Sequence, residues 1–219
     1  GFQPLQHGRD LVERIPQGLD AADEMQTTDV RTGKLTVMVF GIALGAAVLV
    51  GFRYWTQHAE EQRHAAVGLY EQLFQNLGAG KAGEARKLGE TLMSEYASTP
   101  YAGMAGLLLA RMDFEAGDVA KARERLQWVL QNADDDATRH AARLRLARIH
   151  LNGGDRDAAL ALLDVKNRAG FETEYEELKG DIFAAQGKGT EARTAYRDAL
   201  ARLPAGSPYA PMLNMKLDD

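Results

Sequence analysis

The sequence predicts an all-α protein in which a single N-terminal transmembrane helix precedes an α-solenoid of about four helix hairpins. Three observations predict this. Residues 35–52 (LTVMVFGIALGAAVLVGF) carry no charge. From Thr56 onward the chain is rich in Ala, Leu and charge at helical spacing, with almost no β-branched alternating runs. Turn glycines recur at near-constant intervals, Gly80, Gly117, Gly154 and Gly187, and each is followed five residues later by alanine: Ala85, Ala122, Ala159 and Ala192.

The first element is a tail, residues 1–34, which mixes charges and turn formers without a clear period. It reads as largely flexible, with a short helix allowed at Asp10–Arg14. The chain opens on Gly1 rather than Met, which leaves processing or trimming at that end open. The second element is the span, residues 35–55. Its eighteen uncharged residues make a helix of roughly 27 Å at ~1.5 Å rise per residue, at the lower end of what crosses a bilayer. Tyr54 and Trp55 extend it into the headgroup layer, to which Arg53 can snorkel. A buried core helix and a signal peptide are the competing readings. Soluble helices rarely lack a polar face over five turns, and no small-x-small cleavage site precedes the aromatic pair. Charge leaves the orientation tied, with Arg31 and Lys34 before the segment and Arg53 and Arg63 after it. Gly41 and Gly45 form a GxxxG, a surface on which another helix backbone can approach closely. Its partner is either a second copy or a different membrane protein.

The third element, residues 56–204, is the repeat. Spacings of 37, 37 and 33 residues between the turn glycines lie near the 34-residue tetratricopeptide (TPR) period of helix, turn, helix. Glycine ends the first helix of each hairpin by taking left-handed angles cheaply. The alanine five residues later sits where the second helix crosses the first. Ala110, Ala147 and Gly180, seven residues before their turn glycines, supply the facing small residues, and Leu126, Leu163 and Tyr196 the next large ones. The last repeat matches most fully, through Gly180, Phe183, Ala192, Tyr196, Ala199 and Pro204. In the two before it, Asp113 and His150 stand where an aromatic is usual, with Phe114 beside the former. The segment following the span, TQHAEEQRHAAVGLYEQLFQN, continues it as one helix because no Gly or Pro breaks the junction. Residues 205–219 close the chain as a short capping helix over the last repeat.

Chemistry is hard to find. The 219 residues carry a net charge of −5 with no basic block, which argues against nucleic acid as a partner. Cysteine is absent, so disulfides, thiol catalysis and thiolate metal sites are excluded. No phosphate loop, dinucleotide fingerprint or hydrolase motif is present. His58 and His64, and His140 and His150, are spaced wrongly for a metal pair on one helix face. They read as solvated or structural. Asp134-Asp135-Asp136 lacks the EF-hand alternation and reads as a helix cap. Glu176 and Glu177 read as exposed charge rather than an acid–base dyad. No catalytic, cofactor-binding or metal residue is assigned, and no cofactor is expected. What remains is surface. Arg111, Arg148 and Asp181 share one repeat position on successive first helices, and Glu174 and Glu177 lie on the same later face. A groove passing from basic to acidic suits an extended peptide, whereas solvated charges or weak ion pairs would give the same pattern.

The segments GFRYW and LYEQL, then LQWVL, RLRLARI, ELKGDIFAAQGK and the closing MKLDD, resemble the YfgM family of bacterial membrane-anchored TPR proteins, the ancillary SecYEG translocon subunits. The resemblance covers about residues 35–219 and carries nothing to the tail before them. It implies an inner-membrane protein with a cytoplasmic N-terminus and a periplasmic TPR domain. It also implies association with the SecYEG translocon and with a membrane-anchored periplasmic chaperone of the PpiD type. The function expected on this basis is a non-enzymatic scaffold. The alternative is an accessory structural subunit of another inner-membrane complex, bound mainly through its transmembrane helix. An enzyme is the third reading, and it would need a buried, perturbed acid–base cluster in a pocket. The number of copies is left open.

Overall fold

The computed structural model describes residues 18–168 and 170–218, with side-chain surroundings for Gly41 and from Leu44 onward. The helix allowed at Asp10–Arg14 lies outside the described residues. The chain divides into two compact units, Gly1–His58 and Ala59–Asp219. Every regular element among the described residues is a helix.

The first helix, α1, is assigned without a break from Gly18 to Gly78. Its start reaches back into the segment expected to be flexible. The physical reason is that no proline lies between Gly18 and Gly78, so nothing removes a backbone donor or blocks propagation. In the first unit its described side chains are exposed and largely apolar: Leu44, Val48, Leu49, Val50, Phe52, Tyr54 and Trp55 are each more than half accessible. The span read at residues 35–55 includes residues 35–40, Ile42 and Ala43, whose side chains lie outside the described set. Among the described residues, no helix is long and apolar enough to cross a membrane.

The second unit is a stack of hairpins. The end of α1 pairs with α2 (Ala82–Glu95), α3 (Pro100–Glu115) with α4 (Val119–Asn132), α5 (Asp136–Asn152) with α6 (Arg156–Leu162), and α7 (Glu172–Ala185) with α8 (Gly189–Arg202). A last helix, α9 (Ala210–Asp218), follows. The four turns are built alike. Gly80, Gly117, Gly154 and Gly187 take φ of 73°, 82°, 82° and 75°, and the next residue's N–H donates to the carbonyl five residues before it. These bonds are Lys81 to Asn76 at 2.8 Å, and Asp118 to Asp113, Asp155 to His150 and Lys188 to Phe183 at 2.9 Å each. That is the Schellman closure, which satisfies carbonyls a helix end leaves open. Asp118, Asp135 and Asp155 then cap α4, α5 and α6 by accepting from Lys121, Thr138 and Ala158 N–H. The acidic run at Asp134–Asp136 is therefore a cap.

The packing follows the repeat. Ala85, Ala122, Ala159 and Ala192 are buried, as are Ala110, Ala147 and Gly180 opposite and Leu126, Leu163 and Tyr196 beyond them. At Gly180 the approach is so close that a Cβ would collide with the Tyr196 ring. The apolar clusters form a series. Ala66, Leu73 and Leu92 centre the first, Leu126 and Val129 the next, Leu144, Tyr175 and Leu178 the third, and Tyr196 and Leu213 the last. Each fully buried leucine adds roughly 1.5–3 kcal/mol, as an upper bound. No hairpin closes its own face, so stability is shared between neighbours. Leu213 places α9 on Ala192, Tyr196 and Ala199.

Candidate partner groove

Two successive first helices meet the repeat position read as groove-facing. On α3, Ala110, Arg111 and Phe114 lie within one turn; on α5, Arg145, Arg148, Ile149 and Asn152 share a face by their three- and four-residue spacing. With Leu126 they line a groove of about 300 Å³. Its floor is apolar and its walls carry three guanidinium groups. Arg111 Nε donates to Glu115 Oε1 at 2.7 Å, with both side chains exposed. Arg145 Nη1 reaches back to the Leu107 carbonyl at 3.5 Å, and Arg148 makes no hydrogen bond or ion pair to another described residue. The result shows in the energetics. Arg145 is held below the ordinary arginine range, first by desolvation and then by the charges of Arg111 and Arg148. Arg111 is pushed the other way by its hydrogen bond and charge contact with Glu115. One carboxylate therefore serves a cluster of three cations.

The acidic end is different. Asp181, at the position equivalent to Arg111 and Arg148, is met by α9: Lys216 Nζ lies 2.8 and 2.9 Å from its two oxygens and 2.7 Å from Glu177 Oε1. The Tyr196 hydroxyl also donates to Asp181 at 2.9 Å. Lys216 is raised above the ordinary lysine value. Desolvation lowers it, but the hydrogen bonds and charges of Asp181 and Glu177 outweigh that. Glu174 is exposed in the first turn of α7 and joins neither pair. Among the described residues no ion pair links the arginines of α3 and α5 to the acids of α7. Of the five predicted groove residues, then, Arg111 and Arg148 come together, Glu177 and Asp181 come together around Lys216, and Glu174 stands alone.

Glu176 and Glu177 correct the reading of both as exposed charge. Each is buried, Glu176 against Arg168 and Lys179 and Glu177 against Lys216. Buried carboxylates need such partners because desolvation otherwise expels the charge. The histidines are structural where they are enclosed. His140 Nδ1 lies 2.7 Å from the Tyr175 hydroxyl, with Phe171 tilted against its ring. Its pKa is lowered by desolvation and then by Arg143. Arg123 donates to His150 Nε2 at 3.3 Å, leaving Nδ1 toward Asp155. Among the described residues no group of three or more potential ligands is placed to hold a metal ion.

Three features escaped the sequence reading. Arg145 sits three residues before Arg148 on the same face, a signal that helical spacing could have supplied. Lys216 had none, because α9 lies outside the repeat register. Asp113 was noticed only as a departure from an aromatic. It is 2% exposed, paired with Arg86 and bonded by Arg125 Nε at 2.5 Å, while Arg125 Nη2 reaches Glu90 at 2.7 Å. Its partners lie on α2 and α4, so the missing ring is replaced by an ionic tie across three helices. In the first unit, an added Cβ at Gly41 or Gly45 would meet nothing within 4 Å.

The tetratricopeptide repeat-like domain family matches residues 32–219. A relative from Neisseria gonorrhoeae named ancillary SecYEG translocon subunit is 32% identical over 179 residues, 81% of this chain and 85% of its own length. The chain belongs to the YfgM family. A relative of the same name from Escherichia coli is 27% identical, over 83% of this chain and 87% of its own length. Another from Aggregatibacter actinomycetemcomitans is 26% identical, over 85% and 89%. For a YfgM-family chain, the four matching turns and their alanines are the physical content of the family match, and the groove between α3 and α5 is a surface that this scaffold exposes.

Proposed function

We propose that this chain is a non-enzymatic membrane-anchored adaptor that works beside the SecYEG translocon. The observation that carries the reading is the joining, in one chain of this family, of an exposed apolar helical segment to a TPR-like repeat. Leu44, Val48, Leu49, Val50, Phe52, Tyr54 and Trp55 present an exposed apolar surface that is costly to leave in water, and the sequence before Leu44 is uncharged back to Leu35. One span at residues 35–55, with the N-terminus cytoplasmic and the repeat periplasmic, fits that segment. A long domain can cross a membrane regardless of flanking charge. The repeat, through Arg111 and Arg148 in the groove between α3 and α5, holds a PpiD-type chaperone near emerging chains. The names of the relatives support the translocon part of this reading.

Mild detergent extraction followed by co-purification tests it. Translocon and chaperone subunits are expected with the intact chain, and the absence of both would sink the reading. Protease treatment of spheroplasts tests the topology, since a periplasmic repeat is cleaved without lysis. A second reading rests on the open faces of Gly41 and Gly45, which leave room for a neighbouring helix. In that case the chain is an accessory subunit of another inner-membrane complex, held mainly through its membrane segment. Gly41→Leu with Gly45→Leu would then release it from that complex, while an adaptor tethered by its repeat would stay bound.

A further inference from the structure

The groove between α3 and α5 has an imbalance that the fold itself does not explain. Three guanidinium groups converge on an apolar floor, and one carboxylate, Glu115, answers them. The buried carboxylates of the same unit, by contrast, are each answered by cations. Asp113 is matched by Arg86 and Arg125, Glu176 by Arg168 and Lys179, and Glu177 and Asp181 by Lys216. Arg145 loses hydration and stands beside two like charges, an arrangement that disfavours the charged form. Phe114 stays 43% exposed at the groove edge, beside the arginines of α3 and α5.

We propose that this groove binds an acidic segment of a partner protein, in which a bulky apolar side chain lies between carboxylates. The inference rests on the adaptor reading and names the chemistry of its ligand. The apolar residue sits on Phe114, Leu126 and Ile149, and the carboxylates on either side meet Arg111 of one helix and Arg145 and Arg148 of the next. All three cations are arginine, whose planar fork donates two parallel hydrogen bonds to a carboxylate and is less strongly hydrated than an ammonium. An apolar floor between the cations distinguishes this site from a simple basic surface, which would suit any anion. The acidic end of the same face is closed by Lys216, so the ligand's charge pattern is acidic at the open groove and does not require basic residues beyond it.

The test uses the full chain in dodecylmaltoside and a fluorescein-labelled hexapeptide with a central leucine–phenylalanine pair flanked by aspartate and glutamate. Its control is the same peptide with the acids replaced by their amides. The acidic peptide is expected to bind at least about tenfold more tightly than the amide form, with affinity falling as salt rises. Arg145→Glu with Arg148→Glu should abolish that preference. The charge-neutral triple variant Arg111→Gln, Arg145→Gln, Arg148→Gln should do the same while keeping wild-type circular dichroism and melting. Phe114→Ala should weaken both peptides. Equal binding of acidic and amide peptides, or variants that bind as the wild type does, would overturn the proposal. So would loss of peptide binding when the chain is moved into phosphatidylglycerol nanodiscs but not into phosphatidylcholine ones, which would assign the arginines to lipid headgroups. Co-purification of translocon subunits with the wild type is read in parallel. If it persists without peptide discrimination, only the groove inference falls; if it is absent, the adaptor reading falls.

Discussion

Arg111, Arg148 and Asp181 each stand six residues before a turn glycine, and the fold treats them in three ways. Arg111 is half-answered by Glu115, Arg148 has no hydrogen-bond or ion-pair partner among the described residues, and Asp181 is gripped by Lys216 and Tyr196. The backbone frame is the same in each case, with the same left-handed turn and the same buried alanine. What differs is whether another element arrives with the opposite charge. At the last repeat α9 does, and the position becomes part of the structure. At the two middle repeats nothing does, and the position stays available. A charge at a repeat position is therefore left open or made a staple depending on the neighbour, and this neighbour lies outside the repeat.

The largest test of that contrast lies on the opposite side of α3. Asp113 faces the interior where Arg111 faces out, and it anchors two guanidinium groups. Asp113→Ala strips Arg86 of its acid and leaves the buried Arg125 with Glu90 alone, and should cost about 3–5 kcal/mol, read as a shift in the urea midpoint of the detergent-solubilised chain. A loss under 1 kcal/mol would mean that Arg86 and Arg125 find other partners, and the distinction between staple and open charge would blur. The pH dependence follows from the same pair. Asp113 is desolvated, which raises its pKa, but the hydrogen bonds and charges of Arg86 and Arg125 hold it below the ordinary value of 3.8. A depressed folded value means the stabilisation is present above 3.8 and is lost as pH falls through the folded value. The wild type should therefore lose stability more steeply below pH 3.8 than the Asp113→Ala variant.

Next in size is Lys216→Glu, which puts a third carboxylate beside Glu177 and Asp181. Losing the pair and adding repulsion should cost about 2–4 kcal/mol and should expose the C-terminal residues to carboxypeptidase before the rest unfolds. The lysine's own titration gives the reverse pH sign to Asp113. Its folded value is raised above 10.5, so its contribution is complete below 10.5 and disappears as pH rises through the folded value. Alkaline fraying of α9 that Lys216→Met abolishes would identify the staple. Equal fraying in both would place the cause elsewhere.

His140 offers a smaller effect in the physiological range. Burial lowers its pKa below 6.5, and protonation inside the Tyr175–Phe171 enclosure is disfavoured. The unfolded chain takes up the proton first, so stability is full above 6.5 and declines as pH falls toward the folded value. Replacing it by Phe should flatten that decline between about pH 6.5 and 5. A curve that keeps its slope would assign the decline to another group.

The repeat could be read from the sequence because it is a local signal. Gly80, Gly117, Gly154 and Gly187 each need left-handed angles, and alanine at a fixed offset is the smallest residue that lets two helices cross. Both constraints act within a dozen residues, so one chain displays them. The partners of charged residues were not legible in the same way. Asp113 meets Arg86, 27 residues away, and Glu177 meets Lys216, 39 residues away; neither distance follows from the period. Glu176 and Glu177 looked exposed because adjacent acids usually are, and the partners that answer them from outside their helix come from the loop carrying Arg168 and the helix carrying Lys216. Of the candidate groove, Arg111 and Arg148 could be read together because they share a repeat position. It was incomplete without Arg145, whose importance depends on how α5 is rotated against α3.

Arg145→Gln is the smallest expected effect and the most direct test of the contrast. If the arginines of α3 and α5 are open binding charges, removing the middle one relieves repulsion from Arg111 and Arg148 and gives up only a long bond to the Leu107 carbonyl. Glutamine keeps most of the stem that packs along the groove. Stability should then stay within about 0.5 kcal/mol of wild type and move upward if it moves at all, with the gain largest at low salt, where screening is weakest. A loss of more than about 1 kcal/mol would show that the guanidinium ties α5 to α3. Arg145 would then be another staple, like Lys216, and the middle of the repeat would no longer differ in kind from its end.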